Sequence, residues 1–309
     1  MKIVALAGGV GGAKLAHGLA QILPPEDLTV IVNTGDDFEH LGLAICPDLD
    51  TVCYTLAGLA NPETGWGRAG ETWNAMTNLK RLGASDWFNL GDQDLATHLE
   101  RTRRLKAGQP LSRITRDFCA AWGIRHAVLP MSDDPVRTMV DTDEGELPFQ
   151  EYFVHRRCEP RVKGFRFAGA EAASPAAGTR EAILSADAIV VCPSNPWVSI
   201  DPILRVLSPL PELGKGSGVR VVAVSPIIAG KTVKGPAAKM FAELGIEPSA
   251  LAVAKHYEKF LSGIVVDSLD SELAKQIRIP TFVTNTLMTS DADRARLAQE
   301  TLEFIGNLP

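Results

Sequence analysis

The chain opens on a short β-rich run that glycines cut off and helical periodicity follows, and this order constrains the fold more than any other feature. Residues 2–7 read KIVALA, Gly8 and Gly9 end the run, and Leu15, Leu19 and Ile22 then recur at helical spacing between Gly11 and Leu23. Residues 28–32 (LTVIV) form a second continuous apolar run, the pattern of a strand covered on both faces. Strand, glycine turn, helix and strand begin a doubly wound, mostly parallel α/β sheet. Similar runs at 188–192, 219–224, 263–266 and 281–283 extend it, and Ser290 with Asp291 and Asp293 opens a closing helix to Ile305. The middle differs. Segments 71–82 and 92–122 read as helical, punctuated by Gly83, Gly108 and Pro110. Around Asp-Glu-Gly at 143–145, a hairpin is expected with Val136–Asp141 against Pro148–Val154. Residues 169–178 read as a small-residue connector. Residues 1–55 and 185–309 are therefore expected to form the parallel core, with 56–184 as an inserted helical and β-hairpin subdomain.

Composition narrows the function classes. Of 309 residues, 45% are hydrophobic and 22% charged, which are globular proportions. Lys plus Arg number 31 against 37 Asp plus Glu, a formal charge of −6, so nucleic acid is not an expected partner. No run approaches the ~18 apolar residues of a membrane span, and the opening run is shorter than the ~7–15 residues of a signal-peptide core. The five cysteines (Cys46, Cys53, Cys119, Cys158, Cys192) are odd in number and contain no CxxC, so free thiols and a cytoplasmic setting are expected, without a membrane partner.

The loop AGGVGGAK (7–14) fails two familiar fingerprints. For a P-loop counted from Gly8, the second glycine is Ala13 and the Ser/Thr is Leu15; for GxGxxG from Gly9 and Gly11, the third position is Lys14. It remains either an anion-binding loop at a helix start or a tight β–α turn. By itself Lys14 reads more readily as a solvated helix residue than as a phosphate ligand.

An acidic segment follows the second strand. Asn33, Asp36 and Asp37 in NTGDDFEH stand at the carboxyl end of a parallel strand, where open α/β sheets bind ligands. Asp48 and Asp50 in CPDLDT come shortly after. Asp48 could instead cap a helix, and Asp36 could hold the GDD turn. Carboxylates beside a diphosphate site repel it unless a cation intervenes, and hard oxygen ligands suit Mg²⁺. Asp37 and Asp50 are the preferred metal pair. A remaining carboxylate, Asp36 among them, could take a proton from an attacking hydroxyl.

AGGVGGAK, NTGDD, CPDLDT, GWGRAGETW, WFNLGDQDLATHL, SNPWVSI and SPIIAGK occur in this order from residue 7 to residue 231. Together they resemble the 2-phospho-L-lactate transferases of coenzyme F-420 biosynthesis. The resemblance implies a Rossmann-like core, a Mg²⁺-dependent phosphotransferase and a homodimer. It implies two substrates: the deazaflavin Fo (7,8-didemethyl-8-hydroxy-5-deazariboflavin) and a phosphorylated three-carbon acid carried on a diphospho-guanosine conjugate. The Fo ribityl hydroxyl would attack the distal phosphorus and GMP would leave. Gly9, Gly11 and Gly12 would face the diphosphate, with Asn33 nearby. Ser194, Asn195 and Pro196 would belong to the nucleotide site, and Lys231 would meet a donor phosphate or carboxylate. Glu71, Thr72 and Trp73, with Trp66, would serve the deazaflavin. Trp66, Trp73, Trp87 and Trp122 could instead simply fill the insertion's core; His98 is expected as a structural hydrogen bonder, and His40 as a weak candidate near the carboxylates. The acid itself, lactyl, enolpyruvyl or glyceryl, stays open.

Two other classes compete. A sister family of gluconeogenesis-linked, nucleotide-sugar-binding regulators shares the glycine loop but carries ADDGGSSGRLR where this chain has GDDFEHLGLAICPDLDT. A dinucleotide oxidoreductase is disfavoured by the missing third glycine and by GDD where a lone ribose-binding acid is expected.

Overall fold

The computed structural model describes residues 1–208 and 218–308. From the amino terminus, β1 (Ile3–Ala7) enters α1 (Gly9–Ile22) and returns as β2 (Leu28–Val32). A small ribbon, β3 (Phe38–His40) and β4 (Leu43–Ile45), precedes α2 (Pro47–Leu56). The helices α3 (Asn74–Arg81), α4 (Asp92–Lys106) and α5 (Leu111–Ala121) follow, then β5 (Ala127–Pro130). Next come β6 (Arg137–Thr142), β7 (Gly145–Pro148), β8 (Val162–Ala168) and α6 (Thr179–Leu184). The second half runs through β9 (Ala188–Val191), α7 (Asp201–Leu207), β10 (Arg220–Val224) and the ribbon β11 (Ile227–Ile228) with β12 (Lys231–Thr232). It closes with α8 (Ala237–Glu243), α9 (Ala250–His256), β13 (Gly263–Asp267), α10 (Ser271–Ala274), β14 (Thr281–Thr284) and α11 (Asp291–Gly306).

Seven strands form one sheet in the order β14-β13-β10-β9-β1-β2-β5, and every pair in it is parallel. The α/β, doubly wound architecture is as the sequence pattern requires. All five residues of β1 are buried, and alternate side chains enter different cores. Val4 and Leu6 join one apolar cluster; Ile3, Ala5 and Ala7 join the other. A strand covered on both faces cannot alternate with polar residues, which is why these runs read as continuously apolar. The chain leaves β1 toward β2 on one side and reaches β9 on the other, so the sheet's switch point lies between β1 and β9. Loops at the carboxyl ends of these strands diverge there and leave a crevice.

Two boundaries differ from the sequence reading. The edge strand β5 comes from 127–130, inside the stretch read as an insertion; Val128 packs into the core shared with α1 and α2. The hairpin's second arm is also displaced. β6 pairs with Gly145–Pro148 and, on its other side, with Val162–Ala168, while Glu151–His155 form a single π-helical turn. Strand alternation over 149–153 would bury Glu151 alongside Phe149 and Phe153. A helical turn instead buries Phe149 and Tyr152, three residues apart, and leaves Glu151 half-exposed. The closing helix is as read: Ser290 accepts the Asp293 N–H and Asp293 returns the bond, a capping box. Among the described residues no helix is long and apolar enough to cross a membrane.

α1 packs directly on α11, and Gly18 is the point of closest approach. A Cβ there would stand 2.1 Å from the Arg294 carbonyl oxygen, which is main chain and cannot swing away. Gly18→Ala should therefore cost about 1–3 kcal/mol by overpacking, measured as a lower urea midpoint with unchanged slope; an unchanged midpoint would mean the two helices separate freely.

Candidate active site

A cavity of about 660 Å³ opens at the switch point, between the strand ends and the 56–184 segment. Its floor is the glycine loop after β1, the segment after β2, and residues 193–195 after β9. The glycines are there first for space. A Cβ on Gly11 would meet the Pro193 carbonyl oxygen at 2.2 Å, and one on Gly12 would meet Ser194 Oγ at 2.5 Å. Gly9 adopts φ +61°, the left-handed region that suits glycine. Two loop amides already have partners: Gly9 N–H donates to Asp48 Oδ1 at 2.6 Å, and Gly8 N–H donates to Ser194 Oγ at 3.1 Å. The Ser194 hydroxyl donates back to the Gly8 carbonyl at 2.8 Å. Asp48 therefore caps α1 rather than its own helix.

Asn33 joins the carboxylates. Its amide nitrogen lies 2.9 Å from Asp48 Oδ2, 3.2 Å from Asp36 Oδ1 and 3.1 Å from the Val198 carbonyl, and its oxygen accepts the Gly35 N–H at 2.8 Å. Gln150 donates to the other Asp36 oxygen at 3.0 Å. No Lys or Arg among the described residues forms an ion pair with Asp36 or Asp48. Burial, then the Asp48 and Asp37 charges, push the Asp36 carboxyl well above its usual range. Burial raises Asp48 to about 6 against the pull of its Asn33 and Gly9 hydrogen bonds. Two carboxylates buried this close cannot both ionise cheaply, so the pair keeps a proton or takes up a cation.

Asp50 is differently placed. It lines the cavity, but Arg101 grips both its oxygens, one at 3.0 Å, and Arg101 is 2% exposed. His98 Nδ1 lies 3.1 Å from the Arg101 guanidinium, His98 Nε2 lies 3.3 Å from Asp94, and the Tyr54 hydroxyl donates to Asp94 at 2.7 Å. Asp50, Asp94 and His98 present ligand atoms within 4.8 Å of one another, yet Arg101 already supplies the positive charge there. Asp37 does not line the cavity. Its Oδ1 is buried without a partner, and burial raises its pKa to about 7, offset by the Cys46 thiol and by Arg137 and Arg101.

The other expected residues divide the same way. Gly9, Gly11, Ser194 and Asn195 line the cavity; Gly12, Asn33, Pro196 and Lys231 do not. Asn195 caps the turn that follows: its oxygen accepts the Trp197 and Val198 N–H groups. Glu71, Thr72 and Trp73 lie outside this cavity, and Glu71 and Asp92 form reciprocal caps. Glu71 accepts the N–H groups of Gln93 and Asp94, both at 2.8 Å, at the start of α4. Asp92 accepts from Thr72 Oγ1 and from the Asn74 and Ala75 N–H groups at the start of α3. The aromatic wall is Trp66, Trp87, Phe88, Phe149 and Phe153. Phe149 and Phe153 are stacked with centroids 5.4 Å apart. Trp87 was expected in a core, and sequence reading missed Phe149, Phe153, Gln150 and Lys234 altogether. The local signal that could have found the first two is their helical spacing as an aromatic pair. Nothing local flags Gln150, which is 114 positions from Asp36.

Two outcomes follow for stability. Arg101→Met leaves Asp50 buried and uncompensated and should destabilise by about 3–5 kcal/mol in urea unfolding, with Asp50→Asn in the same chain recovering part of it. The Thr72, Ala75 and Asn74 hydrogen bonds hold the Asp92 carboxyl down at about 2. The stability it contributes is present above the ordinary carboxylate range and lost as pH falls through about 2. Asp92→Asn should thus lower the thermal midpoint at pH 7, with the difference from wild type shrinking as pH falls toward 2.

The comparisons agree with this architecture. A family model for 2-phospho-L-lactate transferase CofD matches residues 3–306. A phosphoenolpyruvate transferase from Streptomyces griseus subsp. griseus is 46% identical over 313 residues, covering 98% of each chain. One from Nocardia farcinica is 40% identical over 318 residues, covering 99% of this chain and 95% of its own. The crystal structure of a UPF0052 family member from Bacillus halodurans superposes with a TM-score of 0.63 over 97% of this chain and 98% of its own; at 15% identity it speaks for the fold alone. With a matching family model along almost its whole length, this chain belongs to the 2-phospho-L-lactate transferase CofD family and is a transferase of coenzyme F-420 biosynthesis.

Proposed function

We propose that the protein transfers phosphoenolpyruvate from its diphospho-guanosine conjugate to the ribityl hydroxyl of the deazaflavin Fo, releasing GMP. The observation that carries this is the buried carboxylate pair Asp36 and Asp48, without a Lys or Arg partner among the described residues, set beside an aromatic wall in one cavity. The choice of the enolpyruvyl acid rests on the relatives named phosphoenolpyruvate transferase.

In this reading the hydroxyl oxygen forms a bond to the phosphorus bearing the acid, and the P–O bond to the guanosine phosphate breaks. Phosphoryl transfer asks a protein mainly for alignment and charge balance. Trp66, Trp87, Phe88, Phe149 and Phe153 offer the faces against which a flat tricycle packs, worth ~1 kcal/mol per aromatic pair beyond area burial. Asp36 takes the hydroxyl proton, since burial and its acidic neighbours raise its proton affinity. Asp48 would hold Mg²⁺, leaving Asp36 to accept the proton: Asp48 faces the cavity, is buried and forms no ion pair with Lys or Arg among the described residues. When bound, that ion supplies neutralisation of the diphosphate and of the departing phosphate. Asp50 and Asp37, preferred on spacing alone, suit this role less. Arg101 occupies the first and the second lies off the lining.

Asp36→Asn and Asp48→Asn should each lower turnover by about 10²–10⁴-fold with the fold retained by circular dichroism. Mixing protein, Fo, donor and Mg²⁺ should give GMP and the phosphodiester adduct in equal amounts by mass spectrometry. Nucleotide binding without GMP release would overturn the reading and favour a regulator.

A further inference from the structure

Lys14 on α1 and Lys234 after β12 are the only Lys or Arg side chains on the cavity lining among the described residues. Neither ammonium meets a carboxylate there. Lys14 Nζ donates to the Met288 carbonyl at 2.7 Å, and Lys234 Nζ donates to the Thr64 carbonyl at 2.6 Å. A carbonyl is a weak partner for a full charge, so both cations keep donors and charge in reserve. Burial, then the Arg294 and Lys234 charges, draw the Lys14 pKa down, so its charge gains from any anion brought near. The glycine loop offers less to an anion than its composition suggests, because Asp48 and Ser194 hold the Gly9 and Gly8 amides. The helix start is already faced by a protein carboxylate.

We propose that Lys14 and Lys234 act as a cationic pair that binds phosphate oxygens of a diphosphate-bearing ligand in the cavity. Lys234 does so by exchanging its Thr64 carbonyl for the phosphate. Identifying that diphosphate with the donor's rests on the transferase reading; the pair itself rests on the cavity geometry. Lys231, the lysine that sequence alone singled out, stands on the exposed side of the β11–β12 ribbon and takes no part.

The test is calorimetric binding of inorganic pyrophosphate to the full chain in Mg²⁺ buffer. Lys14→Met and Lys234→Met should each weaken binding by about tenfold and reduce its salt dependence, with thermal midpoints unchanged. Lys14→Arg and Lys234→Arg should restore binding, and Lys231→Met should leave it as in the wild type. A purely structural role for these lysines would shift the midpoints and gain nothing from arginine. The pair is refuted by wild-type pyrophosphate affinity in either Met variant, or by no pyrophosphate binding in the wild type. Failure of the transferase reading is separate: the pair then still binds pyrophosphate while no GMP is released from donor and Fo.

Discussion

The Asn33 side-chain amide is the interaction on which the site depends. One buried nitrogen, at the carboxyl end of β2, reaches carboxylates from the segment after β2 and from α2, and a carbonyl from the turn after β9. It thereby fixes Asp36 and Asp48 beside each other, which raises the cost of ionising both. Asp48 passes the constraint on to α1 by accepting the Gly9 N–H. The switch point of the sheet is thus assembled by hydrogen bonds among groups that are far apart in the chain.

Charge in the cavity is arranged by what each group already holds. Asp50 and Arg101 neutralise each other and anchor α4 on α2 at the cavity wall. Among the described residues Asp36 and Asp48 form no ion pair with Lys or Arg, and Lys14 and Lys234 form none with Asp or Glu. In the proposed reaction a phosphate-bearing ligand with a divalent cation would answer both deficits. The aromatic wall has no charge to balance, and it comes largely from segments inserted between the two halves of the sheet.

Local pattern was enough for most of the scaffold. The buried strands are legible because a strand covered on both faces needs uninterrupted apolar residues, and the last helix because Ser290 and Asp293 cap it within one turn. Locality says less at Glu-Thr-Trp 71–73. Its composition invites a ring-binding role, yet the carboxylate and hydroxyl are consumed in capping α3 and α4. It misleads at 148–154, where β-rich composition hides aromatic residues at helical spacing.

The sequence by itself determined the layered α/β sheet, the glycine turn after β1 and the acidic segment after β2. Each of these is encoded in contiguous residues whose periodicity or backbone freedom acts locally. Tertiary structure alone decided which carboxylates face the cavity, that Arg101 claims Asp50, and that Lys234 rather than Lys231 reaches the lining. Those outcomes depend on side chains approaching from elements tens to hundreds of positions apart, and one-dimensional spacing carries no information about such distances.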